Sequence, residues 1–437
     1  SEADKQSALE HLSGILGTSG DSIAANLDKD KYFVWIKRKL PQETAEKIQE
    51  LKLKGLGFRK ESKRFYPGAA LAAHVLGFAD IDNNGLEGLE LYYNKELKGK
   101  PGWMRVMRDA RQTELLLDNN FLPARDGLNL VLTIDETIQY IAERALAQAV
   151  QKYNAKAATI IVMDTRTGAI LALANQPTYD LEDYSASGSE SRTNRALSYV
   201  YEPGSAFKVV TAAAALQEGK FTENDKIFCE NGEYKIANNI LTDHHPHGTL
   251  SFTDVFSVSS NIGVAKIAQK LGAPAIYQYA KKFRFGMLTG IDLKGEVKGW
   301  LKDPSRWSKT SIGAIPIGYE VTVTPLQLLS MMAAVANNGT YMQPFVVKYI
   351  QDKQGHVVKS FEPKILAEHV IEEKTARRVT EILVNVVERG TAQKAQIEGL
   401  RVAGKTGTAR KVIGGAYSEG KYYATIVGFA PADDPRL

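Results

Sequence analysis

The sequence lacks a cysteine pair, a long apolar run and a large excess of charge of either sign. Because Cys229 is the only cysteine, neither an internal disulfide nor a cysteine-based zinc cluster is expected. No run of about eighteen apolar residues occurs, and the chain starts at Ser1 with no signal peptide, so no segment is predicted to span a membrane. A net charge of +5 over 437 residues, without a basic arm, argues against nucleic acid as a partner.

The length of the chain predicts two domains, because a single hydrophobic core rarely grows to this size. The first part mixes short elements: Pro41 is placed to open a helix, 69–78 has an apolar helical pattern, and 103–107 alternates like a strand. Proline and glycine in 119–127 mark a boundary. We therefore predict a smaller mixed N-terminal domain over 1–124 and a larger domain over 125–437.

The larger region begins and ends with strand patterns and is mostly helical between them. The strand patterns cover 128–133, 157–163, 169–175, 400–403 and 423–429, and the first helix is expected over 134–153. Strands at both ends with helices between them predict an α+β fold, in which one antiparallel sheet is closed by both ends of the domain and flanked by helices.

The strongest local feature is the heptapeptide from Glu202 to Lys208, in which Pro203 and Gly204 interrupt the chain before Ser205. A very apolar stretch follows, so Ser205 is predicted to lie in the first turn of a buried helix, where free N–H groups favour a developing negative charge. Lys208 lies three residues on and shares a face with the serine. Burial and a second cation would lower the pKa of this lysine enough for it to act as the serine's base.

The spacing Ser-x-x-Lys alone is not specific, since Ser418-Glu-Gly-Lys421 shows it as well. That second copy is predicted to lie in a glycine-rich turn between strands, where it opens no helix. A loop serine is the expected role of Ser418, whereas Ser205 is the candidate nucleophile.

Two further polar clusters suit the same chemistry. The segment from Ser257 through Ser259 and Ser260 to Asn261 precedes an amphipathic helix, and one of its residues is expected to cap that helix. Later, Lys405-Thr-Gly-Thr408 follows a strand pattern. On a strand, Lys405 and Gly407 would point to one face and Thr406 and Thr408 to the other, which leaves a cation inward and a bare edge for close approach.

The same stretch also matches a nucleotide-binding pattern. Residues 399–406 fit the P-loop spacing G-x-x-x-x-G-K-[ST], and the apolar strand ending at Asp164 could supply a magnesium ligand. A phosphate cradle needs a helix directly after the Lys-Thr pair. The residues after Thr408 do not open a helix, so an NTPase is disfavoured.

Other catalytic patterns are weak or missing. Of the histidines in His244-His-Pro-His247, not all can easily face one metal ion, and a polar loop is the expected structure. No Gly-x-Ser-x-Gly elbow is present, which argues against a Ser-His-Asp hydrolase. Neither a metal nor an organic cofactor is expected.

Taken in order, Ser205-x-x-Lys208, Ser259-x-Asn261 and Lys405-Thr406-Gly407 resemble the three motifs of penicillin-recognising serine enzymes. Segments 169–180, 318–327, 334–339 and 428–431 look like the transpeptidase domain of class B penicillin-binding proteins, and 74–78 and 85–90 look like that family's N-terminal pedestal. The resemblance covers nearly the whole chain. It implies the penicillin-binding transpeptidase fold on a pedestal, and a peptidoglycan D,D-transpeptidase that β-lactams acylate.

The resemblance also implies a role for each motif residue. Ser205 would be the nucleophile and Lys208 its base. Ser259 and Asn261 would relay a proton and hold the substrate amide, and Lys405 would supply the second cation. The segment Thr406-Gly407-Thr408 would bind the substrate, its threonines taking the terminal carboxylate. The N–H groups of Ser205 and Thr408 would form the oxyanion hole.

Relatives with other activities fit less well. A class A β-lactamase needs a Glu-x-x-Leu-Asn-like loop between the second and third motifs, and none is found. A β-lactam sensor would have little use for the N-terminal region, and a D,D-carboxypeptidase more often carries its extra domain after the catalytic one. The Ser-Ser-Asn sequence favours the division or sporulation type over the elongation type, with the division type preferred.

Family members begin with a cytoplasmic tail and one membrane helix, and continue beyond a segment like 430–436 with a further strand and helix. We therefore expect a truncated chain, incomplete at its C-terminus, from a protein anchored in the inner membrane and facing the periplasm. The expected partners are peptidoglycan stem peptides, lipid-linked precursors, β-lactams, and an FtsW-type glycosyltransferase with other division proteins.

Overall fold

A computed structural model describes residues 2–27, 33–53, 55–108 and 114–437. Its helices are α1 Glu2–Leu16, α2 Gly20–Leu27, α3 Gln42–Glu50, α4 Ala73–Leu76, α5 Gly88–Tyr92, α6 Asn94–Leu97, α7 Glu136–Tyr153, α8 Ser189–Arg192, α9 Arg195–Ser198, α10 Lys208–Gln217, α11 Phe252–Ser257, α12 Asn261–Leu271, α13 Ala273–Lys282, α14 Ser311–Ala314, α15 Pro325–Ala336 and α16 Glu373–Glu388. None of these helices is both long and apolar enough to cross a bilayer.

The strands are mostly short and antiparallel. They are β1 Trp103–Arg108, β2 Glu114–Leu122, β3 Asn129–Leu132, β4 Ala158–Met163, β5 Ile170–Gln176, β6 Lys226–Phe228, β7 Glu233–Ile236, β8 Asn239–Thr242, β9 Thr249–Ser251, β10 Trp300–Leu301, β11 Val321–Thr322, β12 Tyr341–Met342, β13 Val347–Gln351, β14 Val357–Ser360, β15 Ile365–Ala367, β16 Ala403–Ile413 and β17 Ala416–Phe429. The three longest pairs, β1 with β2, β4 with β5 and β16 with β17, are all antiparallel.

The core of the larger region forms around α10. Every residue from Lys208 to Leu216 is buried, as expected of a helix that is apolar on all sides. Helices α12, α13 and α16 pack around it. Because α10 begins at Lys208, this packing carries one motif lysine into the centre of the molecule.

The α+β fold with antiparallel strands and flanking helices is confirmed, but the expected single sheet is not seen as one hydrogen-bonded ladder. In the described part of the chain, β4–β5 and β16–β17 are separate two-stranded ladders. Helix α15 contacts both β4 and β17 and so holds the hairpins together by packing. The strand predicted over 400–403 begins only at Ala403, and it continues through the third motif to Ile413.

The predicted apolar helix over 69–78 is mostly a turn. Only Ala73–Leu76 is α-helical, because Ala69 and Ala72 have φ angles of 50° and 54°, a left-handed conformation that interrupts a helix. Burial of Val75 in a shared core with Ile170 and Val347 explains the apolar composition of the segment. The helical periodicity was therefore a by-product of burial.

The N-terminal segment is joined to the larger region by part-buried hydrogen bonds as well as by apolar packing. The Tyr93 hydroxyl donates a hydrogen bond to Asp292 at 3.0 Å, and the N–H of Ala72 donates to Glu143 at 2.8 Å. The same Asp292 carboxylate accepts the N–H groups of Val346 and Val347. The boundary at residue 124 stays a prediction.

Candidate active site

The candidate nucleophile lies on a tight turn and not within an α-helix. Gly204–Phe207 forms a 3-10 turn, and the α-helix begins only at Lys208. Ser205 therefore lies, as predicted, in the first turn of a buried helical segment, and this turn has 3-10 geometry before α10 begins. In 3-10 geometry the side chains at positions i and i+3 are aligned, so the turn still directs Ser205 and Lys208 to the same side.

The buried amine of Lys208 is held by the second motif. Its Nζ lies 2.7 Å from the carbonyl oxygen of Ser259, 3.1 Å from Ser259 Oγ and 2.8 Å from Asn261 Oδ1. A neutral amine has two hydrogens and one lone pair. If the carbonyl and the Asn261 oxygen take the hydrogens, the lone pair is left to accept a proton from a serine hydroxyl.

The second motif is presented by a capped helix start after a strained residue. Ser260 is the N-cap of α12, and its side chain accepts the N–H of Gly263. Ser259, one residue earlier, has a φ of 62°, a conformation that costs a non-glycine residue of order 1 kcal/mol or more. This backbone turn directs the Ser259 hydroxyl and the Asn261 amide toward Lys208.

The third motif lies on β16, which supplies the second lysine. Lys405, like Lys208, has no exposed side-chain surface, and its Nζ lies 3.0 Å from Ser259 Oγ. Ser259 Oγ is therefore within hydrogen-bond distance of both amines. The strand alternation predicted from sequence is present, because Lys405 and Gly407 are buried whereas Thr406 and Thr408 are more exposed.

Backbone approaches backbone where β16 passes the nucleophile turn. A Cβ atom added to Gly407 would lie 2.5 Å from the carbonyl oxygen of Pro203, and one added to Gly204 would lie 2.7 Å from that of Thr408. Gly204 also has a φ of 53°. The two glycines allow the strand to lie directly beside Ser205, which a side chain at either position would prevent.

The electrostatics of the site lower the pKa of both lysines. Burial, reinforced by the nearby charge of Lys405, lowers the pKa of Lys208 well below its usual value, and the carboxylate of Asp243 partly opposes this shift. Burial alone lowers the pKa of Lys405 to about 7. Both amines therefore exchange protons much more readily near neutral pH than a surface lysine does.

These residues border an open cleft of about 960 Å³, a size that holds a peptide-like ligand. Its lining includes Ser205, Ser259, Asn261, Thr406, Thr408, Tyr319, Arg410, Tyr417 and Tyr422. Within the described chain, Ser205 Oγ forms no hydrogen bond, so its hydroxyl is free to turn toward Lys208 or toward a substrate. The structure thus brings all three motifs together at one cleft.

The close approach at Gly407 gives a testable prediction. In the variant Gly407→Ala, the added methyl group meets the Pro203 carbonyl and displaces β16, and a shift of about 1 Å at a reacting centre costs roughly 100-fold in rate. We expect acylation by a penicillin to slow by about 10- to 100-fold, measured by stopped-flow fluorescence. The control is Gly404→Ala on the same strand, where the nearest atom lies 3.4 Å from the new methyl. Equal rates for both variants would contradict the prediction.

The rival patterns do not form sites. Ser418 and Lys421 lie within strand β17, not in the turn predicted for them, and the hairpin turn falls at Gly414 and Gly415. Lys405 and Thr406 lie inside β16, and no helix follows them, so the P-loop pattern lacks the helix N-terminus that would bind phosphate.

One neighbour of the site was not singled out in the sequence, and another was expected to be only a polar loop. Thr391, in the loop after α16, lies with its Oγ1 2.9 Å from that of Thr406. The only local signal was a Gly-Thr pair directly after an amphipathic helix. His244 and His245, predicted to lie in a polar loop, are part of such a loop, but that loop borders the cleft.

Comparison with known proteins decides the family. Residues 158–437 match the model of the penicillin-binding protein transpeptidase domain, and residues 1–132 match that of the penicillin-binding protein dimerisation domain. The chain belongs to the class B penicillin-binding proteins. The resemblance inferred from the motifs is confirmed.

Three similar proteins support this family assignment. Stage V sporulation protein D of Bacillus subtilis is 36% identical over 98% of this chain and 67% of its own length. Peptidoglycan D,D-transpeptidase FtsI of Escherichia coli is 32% identical over 98% of this chain and 70% of its own. Penicillin-binding protein 3 of Mycobacterium tuberculosis in complex with aztreonam superposes with a TM-score of 0.78 at 32% identity, covering 86% of this chain and 82% of that one.

Proposed function

We propose that this penicillin-binding protein cross-links peptidoglycan through an acyl-enzyme on Ser205. The observation that carries the proposal is the shared hydroxyl of Ser259, which lies within hydrogen-bond distance of two buried lysine amines beside an unengaged serine. Such an arrangement provides a base, a proton relay and a nearby positive charge. The substrate is a stem peptide ending in D-Ala-D-Ala.

In the first half-reaction, Ser205 Oγ attacks the carbonyl carbon of the penultimate D-Ala. The serine proton passes to Lys208, and through Ser259 Oγ to the amine of the departing D-Ala as the C–N bond breaks. The N–H groups of Ser205 and Thr408 stabilise the oxyanion. Thr406 and Thr408, beside the bare backbone of Gly407, bind the terminal carboxylate, and the charge of Lys405 favours that carboxylate in the cleft.

In the second half-reaction, the amine of another stem peptide attacks the ester carbon. Its proton returns to Ser205 as the ester C–O bond breaks, which leaves a new peptide cross-link and free enzyme. A β-lactam opens on the same serine and leaves an ester that the cleft hydrolyses slowly. Asn261 holds the amide of either substrate.

The experiment that tests this reaction measures D-Ala release from a synthetic donor peptide ending in D-Ala-D-Ala, with and without an acceptor amine. We expect release to rise with acceptor concentration and a cross-linked product to form in equal amount. Release that needs no acceptor would indicate a carboxypeptidase, and rapid turnover of penicillin would indicate a β-lactamase.

We further propose that the enzyme acts at the division septum, on the outer side of the inner membrane. The sequence similarity to FtsI supports this role. The sequence similarity to the sporulation protein makes spore-wall synthesis the second candidate. Depletion in growing cells separates them: filaments indicate division, and normal growth with defective spores indicates sporulation.

The proposed partner is an FtsW-type membrane glycosyltransferase together with other division proteins, which deliver lipid-linked precursors. Residues 1–124 are the proposed contact, because the three motifs and their cleft lie outside that segment. Co-purification with the glycosyltransferase tests this, and binding that is unchanged when residues 1–124 are removed would overturn it.

A further inference from the structure

Asp243 makes several hydrogen bonds to the second motif from a different part of the fold. It lies in the loop after β8, and its Oδ1 accepts the N–H groups of Asn261 and Ile262 at 2.5 and 3.0 Å. Its Oδ2 accepts the hydroxyl of Ser260 at 2.6 Å. One carboxylate therefore binds three donors at the start of α12.

Together with Ser260, this carboxylate satisfies the first turn of the helix. Ser260 Oγ accepts the N–H of Gly263, so the N–H groups of Asn261, Ile262 and Gly263 all have side-chain partners. A negative charge at this position also interacts favourably with the helix dipole. The start of α12 is thus fixed by a residue distant in sequence as well as by its own N-cap.

The loop holding Asp243 also fixes the side chain that contacts the catalytic lysine. The neighbouring carbonyl of Thr242 accepts the Asn261 Nδ2 group at 3.0 Å, which orients Asn261 Oδ1 toward Lys208 Nζ. Directly before this network stands Ser259 in its left-handed conformation. A strained residue of this kind persists only where its surroundings determine it, and the residues bonded to Asp243 supply that constraint.

We propose that Asp243 is a positioning residue for acyl transfer: its carboxylate holds the start of α12 so that Ser259 and Asn261 face Lys208. This inference rests on the proposed function of Ser205 and its partners. Asp243 acts through hydrogen bonds to the second motif and transfers no proton itself.

The charge of Asp243 provides a readout that a purely structural role would not give. Lys208 is faced by Lys405 from β16, by Asp243 from the loop after β8, and by the neutral Ser259 and Asn261. The carboxylate raises the pKa of Lys208 against burial and Lys405. Without it, the ammonium form is less favoured, so the amine becomes neutral at lower pH.

The test compares Asp243→Asn and Asp243→Ala with wild type, using a fluorescent penicillin and measuring the acylation rate from pH 5 to 10. We expect Asp243→Ala to slow acylation by about 10- to 100-fold, and Asp243→Asn, which keeps one acceptor oxygen, to slow it less. In both variants the midpoint of the pH profile should move to lower pH. The rates are normalised to the fraction of molecules that become acylated. Partial unfolding of a variant therefore does not lower its measured acylation rate.

The matched control is Asp135→Ala, which removes the acceptor oxygen of an N-cap. Asp135 caps α7 with one hydrogen bond to the N–H of Ile138 at 2.9 Å, away from the cleft, so this variant loses a cap without touching the motifs. We expect a lower melting temperature with an unchanged rate and midpoint. If both Asp243 variants behaved like this control, the positioning role would be overturned. A wild type that forms no adduct would instead overturn the proposed function itself.

Discussion

Replacing Ser205 with alanine should abolish the covalent adduct with penicillin. Wild type is expected to gain the mass of one intact drug molecule, and to keep it for many minutes because the cleft hydrolyses the ester slowly. The variant has no nucleophile at the turn beside β16, so no adduct should form. Intact-protein mass spectrometry measures both results.

The decoy motif supplies the control for this experiment. Ser418→Ala removes a serine with the same Ser-x-x-Lys spacing, but on strand β17. This variant should form the penicillin adduct to the same extent as wild type. An adduct that survives in Ser205→Ala and disappears in Ser418→Ala would refute the assignment of the nucleophile.

Replacing Lys405 with methionine should inactivate the enzyme and yet stabilise its fold. The substitution removes the second cation and the hydrogen bond from Lys405 Nζ to Ser259 Oγ. Loss of one preorganised electrostatic contact costs about 100- to 1,000-fold in rate. Meanwhile, methionine has a similar volume and removes the cost of burying an amine that must release its proton, and replacing buried ion pairs by apolar side chains of similar volume is neutral or stabilises by about 1–4 kcal/mol. Acylation kinetics and urea unfolding measure the two effects.

The stability gain should depend on pH with a definite sign. The pKa of Lys405 is about 7 in the folded state, against 10.5 for a free lysine. Between these values the unfolded chain binds a proton that the folded chain does not, so the unfolding free energy of wild type rises with pH across this window. The advantage of Lys405→Met is therefore largest below pH 7 and shrinks toward pH 10.5. An advantage that grew with pH would contradict the burial of Lys405 as the cause.

The same variant should move the acylation profile in the opposite direction to the Asp243 variants. Lys405 lowers the pKa of Lys208, so its removal raises that pKa, and a higher pH is needed to neutralise the base. Opposite shifts from removing a positive and a negative neighbour would identify Lys208 as the titrating group.

The motifs could be found in the sequence because each carries a local physical signature. Ser205 and Lys208 were marked by a Pro-Gly break before an apolar helix, and the polar cluster 257–261 by its place before an amphipathic helix that one of its residues was expected to cap. The strands β4 and β5 were predicted to within one residue, because two apolar runs are separated there by a short segment that ends in glycine.

Long-range contacts could not be predicted in the same way. Nothing near Asp243 in the sequence indicates that it binds a helix start eighteen residues later, and nothing near Thr391 indicates the hydroxyl of Thr406. The helix predicted over 69–78 was wrong, because a segment that is buried on several sides also has apolar residues at helical spacing. In each case the deciding partner lies on another element of the fold.

The close backbone approach at Gly204 and Gly407 limits which substitutions could lower the reactivity of the enzyme with antibiotics. Side chains at Gly204 or Gly407 would each meet main-chain atoms at 2.7 Å or less, so discrimination between drug and peptide cannot arise there without harming both reactions. It can arise among side chains at the rim, such as Tyr319 and Tyr422, whose size and polarity can change while the backbone stays in place. Substitutions that reduce acylation by β-lactams should therefore accumulate among the side chains at the mouth of the cleft, and not at the glycines beside Ser205.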